Sequence, residues 1–287
     1  MIKHVLFDVD GTLTEPSRGV INAILYAMPA MGLPVPENTD SFKIMLGPPL
    51  LDSFQNILGL SEADARRMLR IYREYYAETG LFEAYVYDGI LPLLTSLQKD
   101  GYLLHTVTSK PIEYVERLFD RFDLRRYFTF LAADDLVGSR RTKTMVLDYL
   151  LGNVADATPE NAIMIGDRKF DVHAAHERGL RVFGCAWGHA VPGELEEAGA
   201  AAVGFNCVAA DMMTPGLVSK LRRFVKGPLI CKPNAGIPVI KPGNVVEYPM
   251  EPAEFADIVA DCHTMGAKIL GGCCGTAPEY INAIRSL

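Results

Sequence analysis

Asp8 and Asp10 stand two residues apart at the end of the apolar run "IKHVLFD", and Gly11 follows with the freedom to make a tight turn. Paired carboxylates at a strand end suit a hard cation that takes oxygen ligands, such as magnesium, and acid-base work on a phosphoryl group. A solvated Asx turn uses the same residues, so the short D-x-D-G pattern alone leaves both readings open. Three further stretches favour the chemical one. Thr108, Ser109 and Lys110 close a second apolar run and offer hydroxyl and amide donors. Lys143 opens a helix after a third strand, and Asp167, with Asp171 one helical turn later, follows "NAIMIG". Each falls at the carboxyl end of an expected parallel strand or at the helix start beyond it, where open α/β sheets place their ligands, so all can converge on one crevice.

A second chemical set closes the chain. Cys273 and Cys274 are adjacent in "KILGGCCGT", and Cys207 ends "AAVGFNC". Two neighbouring thiols do not make a zinc site, but a third ligand from Cys207 gives the three-ligand set of a catalytic zinc with one open position. Gly271, Gly272 and Gly275 let the backbone bend toward such an ion. The alternative is a set of small buried hydrophobes in a reducing compartment.

The elements that must position these groups are legible from apolar spacing. Residues 17 to 85 carry helical patterns, "VINAILYAM", "PLLDSFQNILGL" and "SEADARRMLRIYREYY", the last with Ser61 as N-cap. From "YDGILPLLTSLQKDGY" onward helix and strand alternate through "LLHTVTS", "FTFLAAD", "NAIMIGD" and "LRVFGCAWG", which implies βαβ units on a parallel sheet. Three more strand-helix units follow residue 200: "AAVGFNC", "PLICKPNAG" and "AKILGGCC", each with a helix behind it.

The chain has 287 residues, room for two domains, with 35 acidic against 28 basic side chains and no Lys/Arg-rich block. That balance argues against nucleic acid and anionic membranes as partners and favours a small metabolite. Apolar runs are short, and the start goes directly into a strand, so the expectation is a cytoplasmic protein with reduced thiols.

"FDVDGTLTE", "TVTSKP", Lys143 in "RTKTMVLDYLL" and "IMIGDRKFD" together resemble the motifs of the haloacid dehalogenase-like phosphatase superfamily, in its phosphoglycolate phosphatase-like group, over residues 1 to about 200. The resemblance implies that Asp8 attacks phosphorus to form an aspartyl-phosphate, and that Asp10 protonates the leaving oxygen and then activates water. It also implies that Thr108, Ser109 and Lys143 hold phosphoryl oxygens. Magnesium would be bound by Asp8, the backbone carbonyl of Asp10 and Asp167, with support from Asp171. The implied substrate is a small phosphomonoester, phosphoglycolate-like or a nucleoside monophosphate, chosen by the cap. Arg18, Lys43 and Arg73 in that cap could reach a substrate carboxylate or second phosphate, but each reads first as a solvated helix charge.

"GFNC", "KPNAG" and "GGCCGT", in that order, resemble the C-terminal part of the homocysteine S-methyltransferase domain. This implies Zn2+ on Cys207, Cys273 and Cys274, with the open position for a homocysteine thiolate, on a (β/α)8 barrel. A barrel needs about 250 residues, and residues 201–287 supply three βα units. Methyl transfer would therefore need a partner supplying the remaining units. Otherwise the segment is a metal-binding or assembly module, or a relic of recombination. Its apolar faces require cover from the phosphatase core, a second copy or a partner chain.

The expected fold is α/β: a Rossmann-like parallel sheet (core 1–15 and 86–200) with a helical cap (16–85) inserted after the first strand, then a barrel fragment at 201–287. "AAVGF" can serve as the last strand of the phosphatase sheet, with residues 214–225 as its closing helix and 226–287 as an appendage.

Overall fold

The computed structural model describes residues 2–211, 214–223, 225, 227–241, 245–285 and 287. β1 (His4–Phe7) is buried along its whole length because it is paired on both sides. The chain then leaves through β2 (Thr14–Glu15) for a helical layer, α1 (Ser17–Ala30), α2 (Leu50–Asn56) and α3 (Glu62–Glu78), and returns through β3 (Tyr85–Val86). β2 and β3 pair antiparallel, so both linkers to the helical layer form one short ribbon. Ser61 caps α3 as its sequence suggests, its hydroxyl accepting from the Asp64 amide.

From α4 (Ile90–Lys99) onward helix and strand alternate: β4 (Leu103–Pro111), α5 (Ile112–Arg121), β5 (Phe128–Asp134), α6 (Lys143–Asn153), β6 (Ala162–Gly166), α7 (Lys169–Glu177), β7 (Arg181–Cys185) and α8 (Glu194–Glu197). The chain ends with β8 (Ala202–Ala209), α9 (Thr214–Arg222), β9 (Leu229–Asn234), a hairpin of β10 (Val239–Lys241) and β11 (Val245–Glu247), α10 (Pro252–Thr264), β12 (Ile269–Leu270) and α11 (Pro278–Ile284). Eight strands lie side by side in the order β12-β9-β8-β7-β6-β1-β4-β5, all parallel. β4 and β5 add on one side of β1, and β6, β7, β8, β9 and β12 on the other. A reversal of this kind opens a crevice beyond the carboxyl ends of β1, β4 and β6.

β8 pairs with β7 through Gly184 and Val203, which makes "AAVGF" a strand of the phosphatase sheet. The stretch after residue 226, expected as an appendage, carries the same sheet on through β9 and β12. The reason is the edge: β8 in the last position would leave a row of backbone donors and acceptors unpaired, and β9 takes them up. The core continues with the sheet, because Leu6, Met164, Val182, Val203, Leu229, Cys231 and Cys262 belong to one apolar cluster. The opposite face is thinner at this end, where Phe183 and Ile269 are 37% and 43% exposed. Among the described residues no helix is long and apolar enough to cross a membrane.

At the amino end of the sheet, His4 and His105 are fully buried, stacked at 5.2 Å, and share a 3.0 Å hydrogen bond between Nδ1 and Nε2. Burial is the main cause that lowers the pKa of both, that of His105 to about 4, with Asp156 opposing it and Lys3 adding to the fall at His4. The unfolded chain therefore takes up protons that the folded chain refuses. Stability is complete above about pH 6.5 and is lost as pH falls toward 4, by about 3 kcal/mol for His105. Urea unfolding between pH 7.5 and 4.5 should show this slope, and His105→Phe, which keeps a stacked ring, should flatten it.

Candidate active site

Asp8 leaves β1 at the switch point, 7% exposed, with Oδ1 accepting from the Val9 amide at 2.8 Å. The ammonium of Lys143, first residue of α6, reaches across from the neighbouring strand ends. It lies 2.8 Å from Asp8 Oδ1 and 2.8 Å from Asp171 Oδ1. Burial works to deprotonate Lys143, but Asp171 and Asp8 outweigh it and raise the pKa, so the side chain is a fixed cation. Thr108, buried near the end of β4, accepts from the Lys110 amide at 3.3 Å, and Ser109 beside it lines the same cleft.

Asp167 follows β6 and Asp171 lies in the first turn of α7, both without exposure. Asp167 accepts from the His189 amide at 2.7 Å and from the Thr12 hydroxyl at 3.3 Å, and Asp171 accepts from the Arg168 amide at 3.0 Å. Burial, then the charges of Asp8 and Asp171, push the Asp167 carboxyl well above its usual range. Burial does the same to Asp171, against the pull of Lys143.

The donor set fits magnesium. Asp8, Asp167 and Asp171 bring carboxylate oxygens within 4.8 Å of one another, and a hard divalent cation relieves that crowding. Glycine closes the cradle: a Cβ at Gly11, whose φ is +83°, would lie 2.1 Å from Asp167 Oδ2, and one at Gly188 would lie 2.3 Å from Asp167 Cβ. Asp10, the remaining metal residue expected from sequence, points its carboxylate elsewhere, into a contact of 2.8 Å with Lys110. Its backbone carbonyl is the group named for the ion.

Core and cap together enclose a cleft of about 1070 Å³ above these residues. Arg168 ties the two layers, donating to the Leu46 carbonyl of the cap and, at 2.8 Å, to Glu194. Arg73, read from sequence as a solvated charge, is half-buried at the cleft and donates to the Leu136 carbonyl at 3.0 Å. Arg18 and Lys43 are exposed, in keeping with that reading. Lys110, Tyr76, Gly188 and His189 are the site residues that sequence reasoning did not assign. The lysine was visible in "TVTSKP" only as a donor at a strand end.

The cysteines are placed differently from the aspartates. Cys273 and Cys274 follow β12 at the carboxyl edge of the sheet, where their amides donate to the Pro233 carbonyl at 2.9 Å and to Asn234 Oδ1 at 3.1 Å. The side chain of Cys207 lies outside the described residues. Among the described residues, the group of acidic, histidine and cysteine side chains close enough to share an ion is the aspartate set.

Carboxylates, two buried lysines and strand-end hydroxyls at the switch point of a parallel sheet, under a helical cap, define a hydrolase built to handle a phosphoryl group. The chain belongs to the haloacid dehalogenase-like hydrolase family, whose model matches residues 5–185, and it is an enzyme of the phosphatase kind. Among its relatives is a 5'-nucleotidase of Pseudomonas aeruginosa, 34% identical over 67% of this chain and 86% of that protein. The tyrosine-protein kinase PtkA of Mycobacterium tuberculosis is 34% identical over 64% of this chain and 62% of its own length. A crystal structure of a predicted phosphatase from Clostridium acetobutylicum superposes with a TM-score of 0.68 at 35% identity, covering 71% of this chain and 93% of that one. The homocysteine S-methyltransferase model matches residues 187–287. The two matches meet at the end of β7, ahead of the boundary near residue 200 expected from sequence. They are not separate in space: the Trp187 indole donates to the Thr12 carbonyl at 3.2 Å, and the His189 amide holds Asp167.

Proposed function

We propose that the protein hydrolyses small phosphomonoesters in a magnesium-dependent reaction that passes through an aspartyl-phosphate on Asp8. The observation that carries this reading is the position of Lys143 between Asp8 and Asp171, beside a third buried carboxylate, at the carboxyl ends of β1 and β6. Asp8 is the nucleophile, and the Val9 amide and Lys143 hold its oxygen in place. Thr108, Ser109 and Lys143 bind the phosphoryl oxygens, and Asp10 gives a proton to the leaving oxygen and later takes one from water. Asp8, the Asp10 carbonyl and Asp167 would hold magnesium, with Asp171 in support, and the ion would supply charge to offset carboxylates and phosphate gathered in one buried place.

The 5'-nucleotidase relative supports nucleoside monophosphates as one substrate class, and the cleft volume suits a metabolite of that size. The C-terminal strands have a structural part in this reading, covering the β7 edge and extending the core.

Phosphate release from nucleoside 5'-monophosphates, phosphoglycolate and p-nitrophenyl phosphate, with magnesium and with a chelator, tests the reading. Turnover of at least one ester that drops to background on chelation is the expected result. Turnover indifferent to chelation, or none with any ester, would overturn it.

A further inference from the structure

One buried polar contact outside the assigned residues joins the cap to the reacting end of the cleft. Lys110, at the end of β4, has a side chain 4% exposed, and its ammonium donates to both oxygens of Asp10, at 3.0 and 2.8 Å. It also lies 2.6 Å from the hydroxyl of Tyr76, on cap helix α3. An ammonium only donates, so the tyrosine oxygen accepts.

The Tyr76 ring has little freedom to leave that position. It stacks on Tyr72 of the same helix at 5.1 Å and meets Tyr114 of core helix α5 edge-on at 5.4 Å, and all three are buried. Asp10 is held by Lys110 and, more loosely, by the Thr14 hydroxyl at 3.3 Å. Its side chain is 27% exposed and borders the cleft that also touches Asp8.

We propose that Tyr76 and Lys110 form a positioning relay through which the seated cap sets Asp10 toward the leaving-group oxygen. The proposal rests on the reading of Asp10 as the proton-transferring group. As an Asp8 oxygen bonds to phosphorus, the ester P–O bond breaks and the departing oxygen takes the proton of Asp10. The product is the Asp10 carboxylate paired with the Lys110 ammonium, the contact seen here. In the second half a water oxygen bonds to phosphorus, the Asp8–phosphorus bond breaks, and the proton from water goes to Asp10. Lys110 stabilises Asp10 after it has donated and keeps it in place to accept. Tyr76 keeps Lys110 from turning away, and it does so only while α3 is against the core.

A positioning role has a signature that packing alone lacks. Protonation matters most for leaving groups that are poor without it, so the loss should depend on the ester. The kcat/KM value reports the steps through formation of the aspartyl-phosphate and leaves out its hydrolysis. Tyr76→Phe keeps the ring and removes the accepting oxygen, and Lys110→Met keeps the chain length and removes the ammonium. For alkyl phosphates we expect kcat/KM to fall about tenfold in Tyr76→Phe and further in Lys110→Met, against about twofold for p-nitrophenyl phosphate in Tyr76→Phe. An equal fall on both ester types in both variants, or no fall on either, overturns the relay. An inactive wild type overturns the phosphatase reading instead, which keeps the two failures apart.

Discussion

Phosphate release by Asp8→Asn is expected to fall at least about a thousandfold while the fold is kept or made more stable. The amide oxygen of asparagine can still accept from the Val9 amide and still faces Lys143, so local geometry has every reason to persist. What is lost is the anionic oxygen that, in the proposed mechanism, attacks phosphorus. The same change removes one of the charges that, after burial, hold Asp167 far above its usual pKa. A site that crowds carboxylates for chemistry stores instability, and relieving the crowding trades activity for stability. The measurement is turnover with magnesium, together with the thermal midpoint without it. Retention of even a tenth of wild-type activity would mean that Asp8 is not the nucleophile. A midpoint several degrees lower would mean that its charge supports the fold.

The parts of the fold legible in the sequence are those whose environment is repetitive. β1, β4 and β6 lie inside the sheet and are buried along most of their length, so they read as largely apolar runs, and Asp8, Thr108 and Asp167 could be placed because ligand-binding groups collect at such strand ends. Tyr76 was not legible, because a tyrosine four residues after Tyr72 on an amphipathic helix reads as core. Its hydroxyl acquires a role only when Lys110, 34 positions on, arrives from β4. Arg73 failed in the opposite sense: helix spacing made it a solvated charge, and the loop carbonyl of Leu136 turned it into a wall of the cleft. The end of the chain shows a further limit. Motif content alone suggested a piece of a barrel, yet a parallel βα unit can add to an open sheet as readily as to a closed one, and the free edge of β7 decided the matter. The β10–β11 hairpin, three residues per strand, is too short to carry a period.

Lys143→Met is the second change expected to act strongly, and it tests whether this lysine is structural, catalytic or both. Methionine keeps most of the aliphatic volume and removes the ammonium, leaving Asp8 and Asp171 facing each other and Asp167 in a buried site without a cation from the protein. Breaking a buried ion pair from one side costs roughly 3 kcal/mol or more, because the remaining charges are uncompensated. For a chain of this size that lowers the thermal midpoint by about 6 °C. Magnesium adds positive charge among the same carboxylates, so it should recover part of that loss through binding to the native state alone. It should not recover turnover, because the phosphoryl oxygens would still lack the lysine proposed to bind them, and kcat should stay at least about a hundredfold down at saturating magnesium. Calorimetry with and without magnesium, paired with phosphate release, separates the outcomes. A midpoint unchanged without metal would show that the carboxylates neutralise themselves by taking up protons. Activity restored by magnesium would reduce Lys143 to a counter-ion, and the phosphate-binding role would pass to Thr108 and Ser109 alone.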